Sequence, residues 1–151
     1  STGSLGQGLS IAAGVAAGFK LDGVSNRVFT VMGDGETEEG QVWEAATFAA
    51  HQELGNLIAV VDLNGLQIDG KVNHVCASGT LAGKFAAFGW EVHEVNGHDM
   101  DALIELFSDL KASETTQPKV VIAHTIKGKG EETERALAEL AEARAELNGV
   151  K

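Results

Sequence analysis

The chain has 151 residues, of which 44% are hydrophobic and 22% charged, the composition of a globular domain with a core rather than of a disordered segment. Eleven basic residues against 22 acidic ones leave a formal net charge of −11, a field that repels nucleic acid and anionic lipid, so neither is expected as a partner. No apolar run approaches the roughly 18 residues of a membrane span, no signal-peptide pattern is present, and the lone Cys76 leaves no internal disulfide; together these point to the cytoplasm.

In chain order, a glycine-rich turn, Gly3-Ser4-Leu5-Gly6-Gln7-Gly8, opens a small-residue helix over Leu5–Phe19. Gly14 and Gly18 within it suit close helix packing. A strand over Arg27–Met32 runs into Gly33-Asp34-Gly35-Glu36, and a helix over Glu38–Leu54 follows, with Val42, Ala45, Ala46, Ala49 and Ala50 at helical spacing. The run Leu57–Asp62 is almost wholly apolar, as in a strand covered on both faces. After it come Asn64-Gly65, a helix over Ser78–Phe88 and a strand over Trp90–Val95. Gly97-His98-Asp99 then leads into a helix over Asp99–Lys111, with Leu103, Leu106, Phe107 and Leu110 on one face. Lys119–His124 is the last strand. An Ala/Glu-rich helix over Glu131–Asn148 closes the chain, expected to pack on the sheet, with a partner helix or coiled-coil seam as the alternative.

Strands alternating with helices imply βαβ units, a mainly parallel sheet and helices on both faces. The expected fold is therefore a three-layer αβα sandwich of the α/β class, with residues 1–130 as one domain and 131–151 as a C-terminal helix.

In such sheets, ligands bind beyond the carboxyl ends of the strands. If the strands at 27–32 and 57–62 are parallel neighbours, Asp34 and Asn64 emerge on one edge. A carboxylate, an amide oxygen and a main-chain carbonyl are the hard donors that Mg²⁺ or Ca²⁺ takes, with phosphate oxygens completing the shell. Helix N-termini at the same edge offer N–H groups to an anion. Each piece also has a plain structural meaning. Gly33-Asp34-Gly35 reads equally as a turn with an aspartate cap, and Asn64-Gly65 as a hairpin turn. No Gly-Lys-Ser/Thr follows a glycine loop, which excludes a P-loop. A dinucleotide site would need a strand ahead of Gly3 and a ribose-binding acid, and the sequence shows neither.

Gly33-Asp34-Gly35, followed after residues 36–63 by Asn64, resembles the motif of thiamine-diphosphate enzymes. The flanking text is similar to transketolase: Thr2-Gly3-Ser4-Leu5-Gly6-Gln7-Gly8, Glu39-Gly40, Asn64-Gly65-Leu66-Gln67-Ile68-Asp69-Gly70, Phe88-Gly89-Trp90, Gly97-His98-Asp99 and His124-Thr125-Ile126-Lys127-Gly128. The resemblance runs in order from residue 1 to about residue 130, and is to the N-terminal, diphosphate-binding part of that family, including forms in which this part is encoded separately.

The resemblance implies a thiamine-diphosphate-binding fold and transfer of a two-carbon ketol unit between sugar phosphates. It places Asp34, Asn64 and the main-chain oxygen of Leu66 on Mg²⁺ or Ca²⁺. Gly3, Ser4, Leu5, Gly6, Asp34, Gly35, Glu36, Asn64, Leu66 and Lys127 are implied around the cofactor, and Glu39 and Glu44 at a subunit interface. It implies an oligomer completed by a pyrimidine-binding subunit or a second copy, because the family's cofactor-protonating glutamate lies in a pyrimidine-binding domain that this sequence does not contain. No catalytic residue is therefore assigned here. Deoxyxylulose-phosphate synthase and dihydroxyacetone synthase belong to the same branch, and a non-catalytic cofactor-binding scaffold is the alternative from another class.

Of the histidines, His98 reads as fixing a turn with Asp99 as the helix cap, His124 as the end of a strand at the ligand edge, and His51 as a surface residue. His74 follows a glycine-rich loop near the expected substrate side. Cys76 has no partner that marks a nucleophile.

Overall fold

Residues 3–64, 66–67, 70–71, 80–130, 135 and 138–140 are described by the structure, a computed structural model, with backbone alone at 66–67 and 70–71. His74, Cys76 and most of the expected C-terminal helix lie outside these residues. Within that helix Arg135 and residues 138–140 are helical, and Arg135 Nε donates to Glu139 Oε1 at 3.2 Å.

The described elements are α1 (Gln7–Leu21), β1 (Val28–Gly33), a 3₁₀ turn (Gly35–Glu38), α2 (Gly40–His51), β2 (Leu57–Leu63), β3 (Leu66–Gln67), β4 (Gly70–Lys71), α3 (Leu81–Ala87), β5 (Glu91–Asn96), α4 (Met100–Ala112) and β6 (Lys119–His124). Four strands form one sheet in the order β1-β2-β6-β5, every pair parallel. The α/β three-layer reading of the sequence is the observed fold.

Alternation along the strands assigns the layers. Leu57, Ala59 and Val61 of β2, with Val120 and Ile122 of β6, join α1, α2 and Phe85 of α3 in the larger core. Ile58 and Val121 face the other way, onto Leu110 of α4, with Val60, Val95, Leu106 and Phe107 around them. The period-2 geometry of a strand sends neighbours to opposite faces. Connection order explains why, among the described helices, only α4 lies on the second face. The chain steps from β1 to β2 and on past β6 to β5, then returns one place to β6, and a reversed step at constant crossover hand changes face.

Ring packing pins α2 to α3. Trp43 lies 5.0 Å from Phe85 and 5.2 Å from Phe88, centroid to centroid, and Phe85 meets Trp90 edge-on at 5.4 Å. Both indoles are satisfied: Trp43 Nε1 donates to the Thr37 carbonyl at 2.7 Å and Trp90 Nε1 to that of Ala46 at 3.0 Å, as buried tryptophans require.

Three elements differ from the sequence expectation. The first helix starts at Gln7, not Leu5, because Gly6 adopts a left-handed φ of 78°. The second starts at Gly40, not Glu38: residues 35–38 form their own 3₁₀ turn and Glu39 is extended, with ψ 126°. The Leu66–Gln67 and Gly70–Lys71 hairpin is also new, and its antiparallel pairing places the reversal after Gln67 rather than at Asn64-Gly65. Nor is every strand covered on both faces. Phe29 and Val31 of β1 are 52% and 71% exposed: they lie on the face that α4 covers, but α4 packs on the β5 end of the sheet and meets Phe29 by an edge contact with Phe107 at 6.2 Å. Among the described residues, no helix is long and apolar enough to cross a membrane.

Candidate functional site

Parallel pairing brings the ends of β1, β2, β6 and β5 to one edge. There the register sets Gly33 beside Asp62, and Leu63 of β2 beside His124 of β6, with Asn96 of β5 next to it. The Asp34 amide continues the ladder by donating to the Asp62 carbonyl at 3.1 Å. Asp34 therefore leaves β1 directly alongside the stretch of β2 that ends in Asn64. The two residues that the sequence picked out from distant positions are brought together by strand register alone.

Asp34 is 2% exposed. Its Oδ1 accepts from the Gly35 amide at 2.9 Å, capping the 3₁₀ turn, while Thr37 Oγ1 donates to the Asp34 carbonyl at 2.6 Å. The side chain is held between the end of β1 and the following turn. On β2, Asn64 Nδ2 donates to Asp62 Oδ2 at 2.8 Å, and Thr125 Oγ1, just past β6, donates to Asp62 Oδ1. The Thr125 amide completes the tie by donating to the Leu63 carbonyl at 3.1 Å. Asp62 lies in no motif of the sequence, and Thr125, although inside the transketolase-like stretch from His124 to Gly128, is assigned no role by it. The only signal for Asp62 was its i, i+2 spacing from Asn64, which puts both on one face where the strand ends.

The glycine-rich turn joins the same edge through Glu36. Its Oε1 accepts from the Gly6 amide at 3.1 Å and its Oε2 from the Gly33 amide, also at 3.1 Å. The sequence expectation set the amides of this turn and the Glu36 side chain around a bound cofactor. In the structure one carboxylate occupies the N-terminal position of α1, where an anion is favoured, and it is an internal one. Gly6 is required for this approach: a Cβ there would sit 2.7 Å from Glu39 Cβ, in addition to the strain of its positive φ. Gly3, Ser4 and Leu5 lie exposed before it.

The remaining loops interlock. The Gly97 amide donates to the His124 carbonyl at 2.8 Å, and the Ile126 amide donates to His98 Nε2 at 2.8 Å. Accepting at Nε2 fixes the His98 tautomer with its proton on Nδ1. Asp99 caps α4 through Oδ1, which accepts from Ala102 N at 3.0 Å. His124 at the end of β6 pairs with Glu94 Oε2 at 2.8 Å. Lys127 follows in the exposed turn after β6, and Glu39 and Glu44 are exposed at the start of α2. His51 is exposed at the end of that helix.

Among the described residues there is no group of three or more histidine, cysteine, aspartate or glutamate side chains able to hold a metal by themselves. The donor set consists of one buried carboxylate, Asp34, and one amide, Asn64, set at one edge by strand register; the main-chain oxygen of Leu66, the third expected donor, belongs to β3. All are hard oxygen donors, and they are too few to fill an octahedron. That set fits Mg²⁺ bound jointly with a phosphate-bearing ligand rather than in an all-protein cage.

Known proteins share the fold and much of the sequence. Residues 1–145 match the family described as "Transketolase, thiamine diphosphate binding domain". The 6-deoxy-6-sulfo-D-fructose transketolase subunit of Clostridium sp. is 42% identical over 130 residues, covering 86% of this chain and 47% of the relative. An apulose-4-phosphate transketolase subunit of Phocaeicola vulgatus is 39% identical over 130 residues, covering 86% and 46%. Among solved structures, transketolase from Campylobacter jejuni superposes with a TM-score of 0.78 at 33% identity, covering 86% of this chain and 22% of that one. The chain thus spans about half the length, or less, of the relatives it matches. The family match over residues 1–145 and the shared α/β fold with its parallel sheet show that this protein belongs to the transketolase family, within the thiamine-diphosphate-binding domain.

Proposed function

We propose that this chain supplies the diphosphate- and Mg²⁺-anchoring part of a transketolase-type enzyme that transfers a two-carbon ketol unit between sugar phosphates. The observation that carries this reading is the convergence of Asp34 and Asn64 at the end of adjacent parallel strands, with Asn64 held through its amide nitrogen. Two of the relatives are named as transketolase subunits and are about twice the length matched here, which supports a site shared between chains.

The chemistry thiamine diphosphate supplies when bound is a nucleophilic carbon able to carry the ketol unit, while the protein binds and orients it. In this reading Asp34 and the oxygen of Asn64, with the Leu66 carbonyl, hold the cation that neutralises the diphosphate. Gly35 lets the backbone approach it. Glu36 keeps Gly6 and Gly33 in register, so the start of α1 faces the same place. Gly3, Ser4 and Leu5 border the cofactor, and Lys127 supplies a cation from the far side of the edge. Glu39 and Glu44 meet a neighbouring subunit that brings the pyrimidine-binding domain.

Titration calorimetry with thiamine diphosphate, with and without Mg²⁺, tests the reading. Binding that needs Mg²⁺ and is lost in Asp34→Ala supports it. A folded chain that binds nothing under either condition makes the domain an architectural scaffold instead. Turnover is then sought with a separately supplied pyrimidine-binding chain, with sugar-phosphate donors distinguishing transketolase from the other enzymes of its branch.

A further inference from the structure

We infer that Asp62 is a positioning residue of the cation site: it decides which end of the Asn64 amide is presented to the cation. The inference rests on the reading just given, but the contacts behind it belong to the protein alone. Asp62 uses one carboxylate oxygen for each of two partners, Oδ2 for Asn64 Nδ2 at 2.8 Å and Oδ1 for the hydroxyl of Thr125. A carboxylate accepts hydrogen bonds and does not donate them. Facing it, Asn64 has one orientation open to it, nitrogen inward, and its oxygen is thereby the end turned away from Asp62.

Without Asp62 the Asn64 nitrogen loses the acceptor that holds it inward, and a carboxamide of nearly symmetric shape that turns its nitrogen outward repels a cation. The threonine bond fixes the carboxylate in turn. Its hydroxyl comes from the segment after β6, whose backbone is tied to Leu63 through the Thr125 amide at 3.1 Å. The carboxylate is held from one side by β6 and holds Asn64 on the other, so the donor orientation is set before any ligand arrives. Outer-sphere partners of this kind are worth about 10- to 100-fold in metal affinity.

Asp62→Asn is the informative variant, because it keeps shape and volume but introduces an N–H donor. That donor invites the Asn64 oxygen inward and reverses the amide. Two readouts separate positioning from simple loss of structure. The first is the ratio of thiamine diphosphate affinity with Mg²⁺ to that without it. Asp62→Asn is expected to lower the Mg²⁺-supported affinity by about 10-fold or more, leaving the metal-free affinity and the melting temperature unchanged. The second needs no cofactor: the Asn64 side-chain amide resonances should be shielded from exchange in the wild type and move to exposed-asparagine values in the variant.

An unchanged Mg²⁺ dependence in Asp62→Asn, or an unmoved Asn64 amide, overturns the assignment while leaving the cofactor reading intact. A wild type whose binding shows no Mg²⁺ dependence overturns both. If Asp62→Asn melts early, Thr125→Val provides the second test. It frees the carboxylate without adding a donor, and a loss of Mg²⁺ dependence smaller than that of Asp62→Asn is expected. No loss in Thr125→Val would show that the carboxylate needs no such support, and would contradict the orienting relay.

Discussion

At the edge of the sheet where the strands begin, cations hold carbonyl oxygens. Lys20 Nζ donates to the carbonyls of Gln52 and Glu53 at the end of α2, at 2.7 and 3.2 Å. Arg27 donates to Ser113 O after α4 at 2.9 Å, and the buried Lys119 donates to the carbonyls of Gly55 and Gln117 at 3.0 and 3.1 Å. At the edge where the strands end, carboxylates hold amides: Glu36 those of Gly6 and Gly33, Asp34 that of Gly35, Asp99 that of Ala102. The division follows from a parallel sheet. Each crossover helix runs back against its strands, so helix C-termini with unpaired carbonyls gather at one edge and N-termini with unpaired N–H groups at the other.

The difference between the edges lies in what the side chains serve. At the first edge the cations are committed to helix ends and to the loops that follow them, and their work is structural. The second edge carries similar ties through Glu36 and Asp62, but those ties orient further groups, Asn64 and the turn before α1. Substitutions at the two edges should therefore separate cofactor affinity from stability.

The largest separation is expected at Asp34. Asp34→Ala should reduce Mg²⁺-supported thiamine diphosphate affinity on the order of 100-fold, roughly 2.7 kcal/mol, while the lost turn cap costs about 1 kcal/mol of stability. Urea melts alongside calorimetry check both numbers, and equal losses in the two would erase the contrast. Glu36→Ala is next: two amides lose a charged acceptor, for about 1.5–3 kcal/mol. The turn at Gly6 loosens, so metal-free affinity for the cofactor should fall with it. On the opposite edge, Lys119→Met deprives two carbonyls of their donor, a loss of about 1–3 kcal/mol reduced by the relief of a buried charge. Here cofactor affinity should stay within about twofold, a difference of roughly 0.4 kcal/mol.

The smallest effect is a pH dependence at the structural edge. Burial disfavours the charged form of Lys119 and holds its pKa below the ordinary 10.5, against the pull of Glu91. The charge then costs stability at neutral pH, and the cost is relieved as pH rises through the lowered value towards 10.5. Wild type should gain on Lys119→Met over that window, and a constant gap would contradict this. For Glu91, burial acts upward, but hydrogen bonds from Thr115 and His93 and the charge of Lys119 outweigh it and hold the carboxyl below its ordinary 4.5. Its contribution is complete above pH 4.5 and lost as pH falls through the lowered value.

Much of this was legible in the sequence. Leu57-Ile58-Ala59-Val60-Val61 reads as a buried strand because both of its faces are covered, and α2 shows its buried Val42, Ala45, Ala46 and Ala49 at helical spacing. Asp34 and Asn64 were found because a motif names them. Asp62 was not, because at the end of an apolar run it reads as the strand's polar boundary, and its partner Thr125 lies 63 positions away. The part Glu36 plays was hidden for a different reason: its partners are backbone amides, which have no letter in the sequence. The bare second face of β1 was equally silent, since Val28-Phe29-Thr30-Val31 has the pattern of a covered strand.

The claim that Asp34 and Asn64 hold a cation together with a diphosphate is tested most directly by Mn²⁺ in place of Mg²⁺. Pulsed electron paramagnetic resonance on the chain with Mn²⁺ and thiamine diphosphate reads the phosphorus nuclei around the protein-bound ion. The account predicts a phosphorus coupling that appears only with cofactor, on an ion immobilised by the protein, and that disappears in Asp34→Ala. Protein-bound Mn²⁺ without phosphorus coupling, or a coupling that survives in Asp34→Ala, would contradict it.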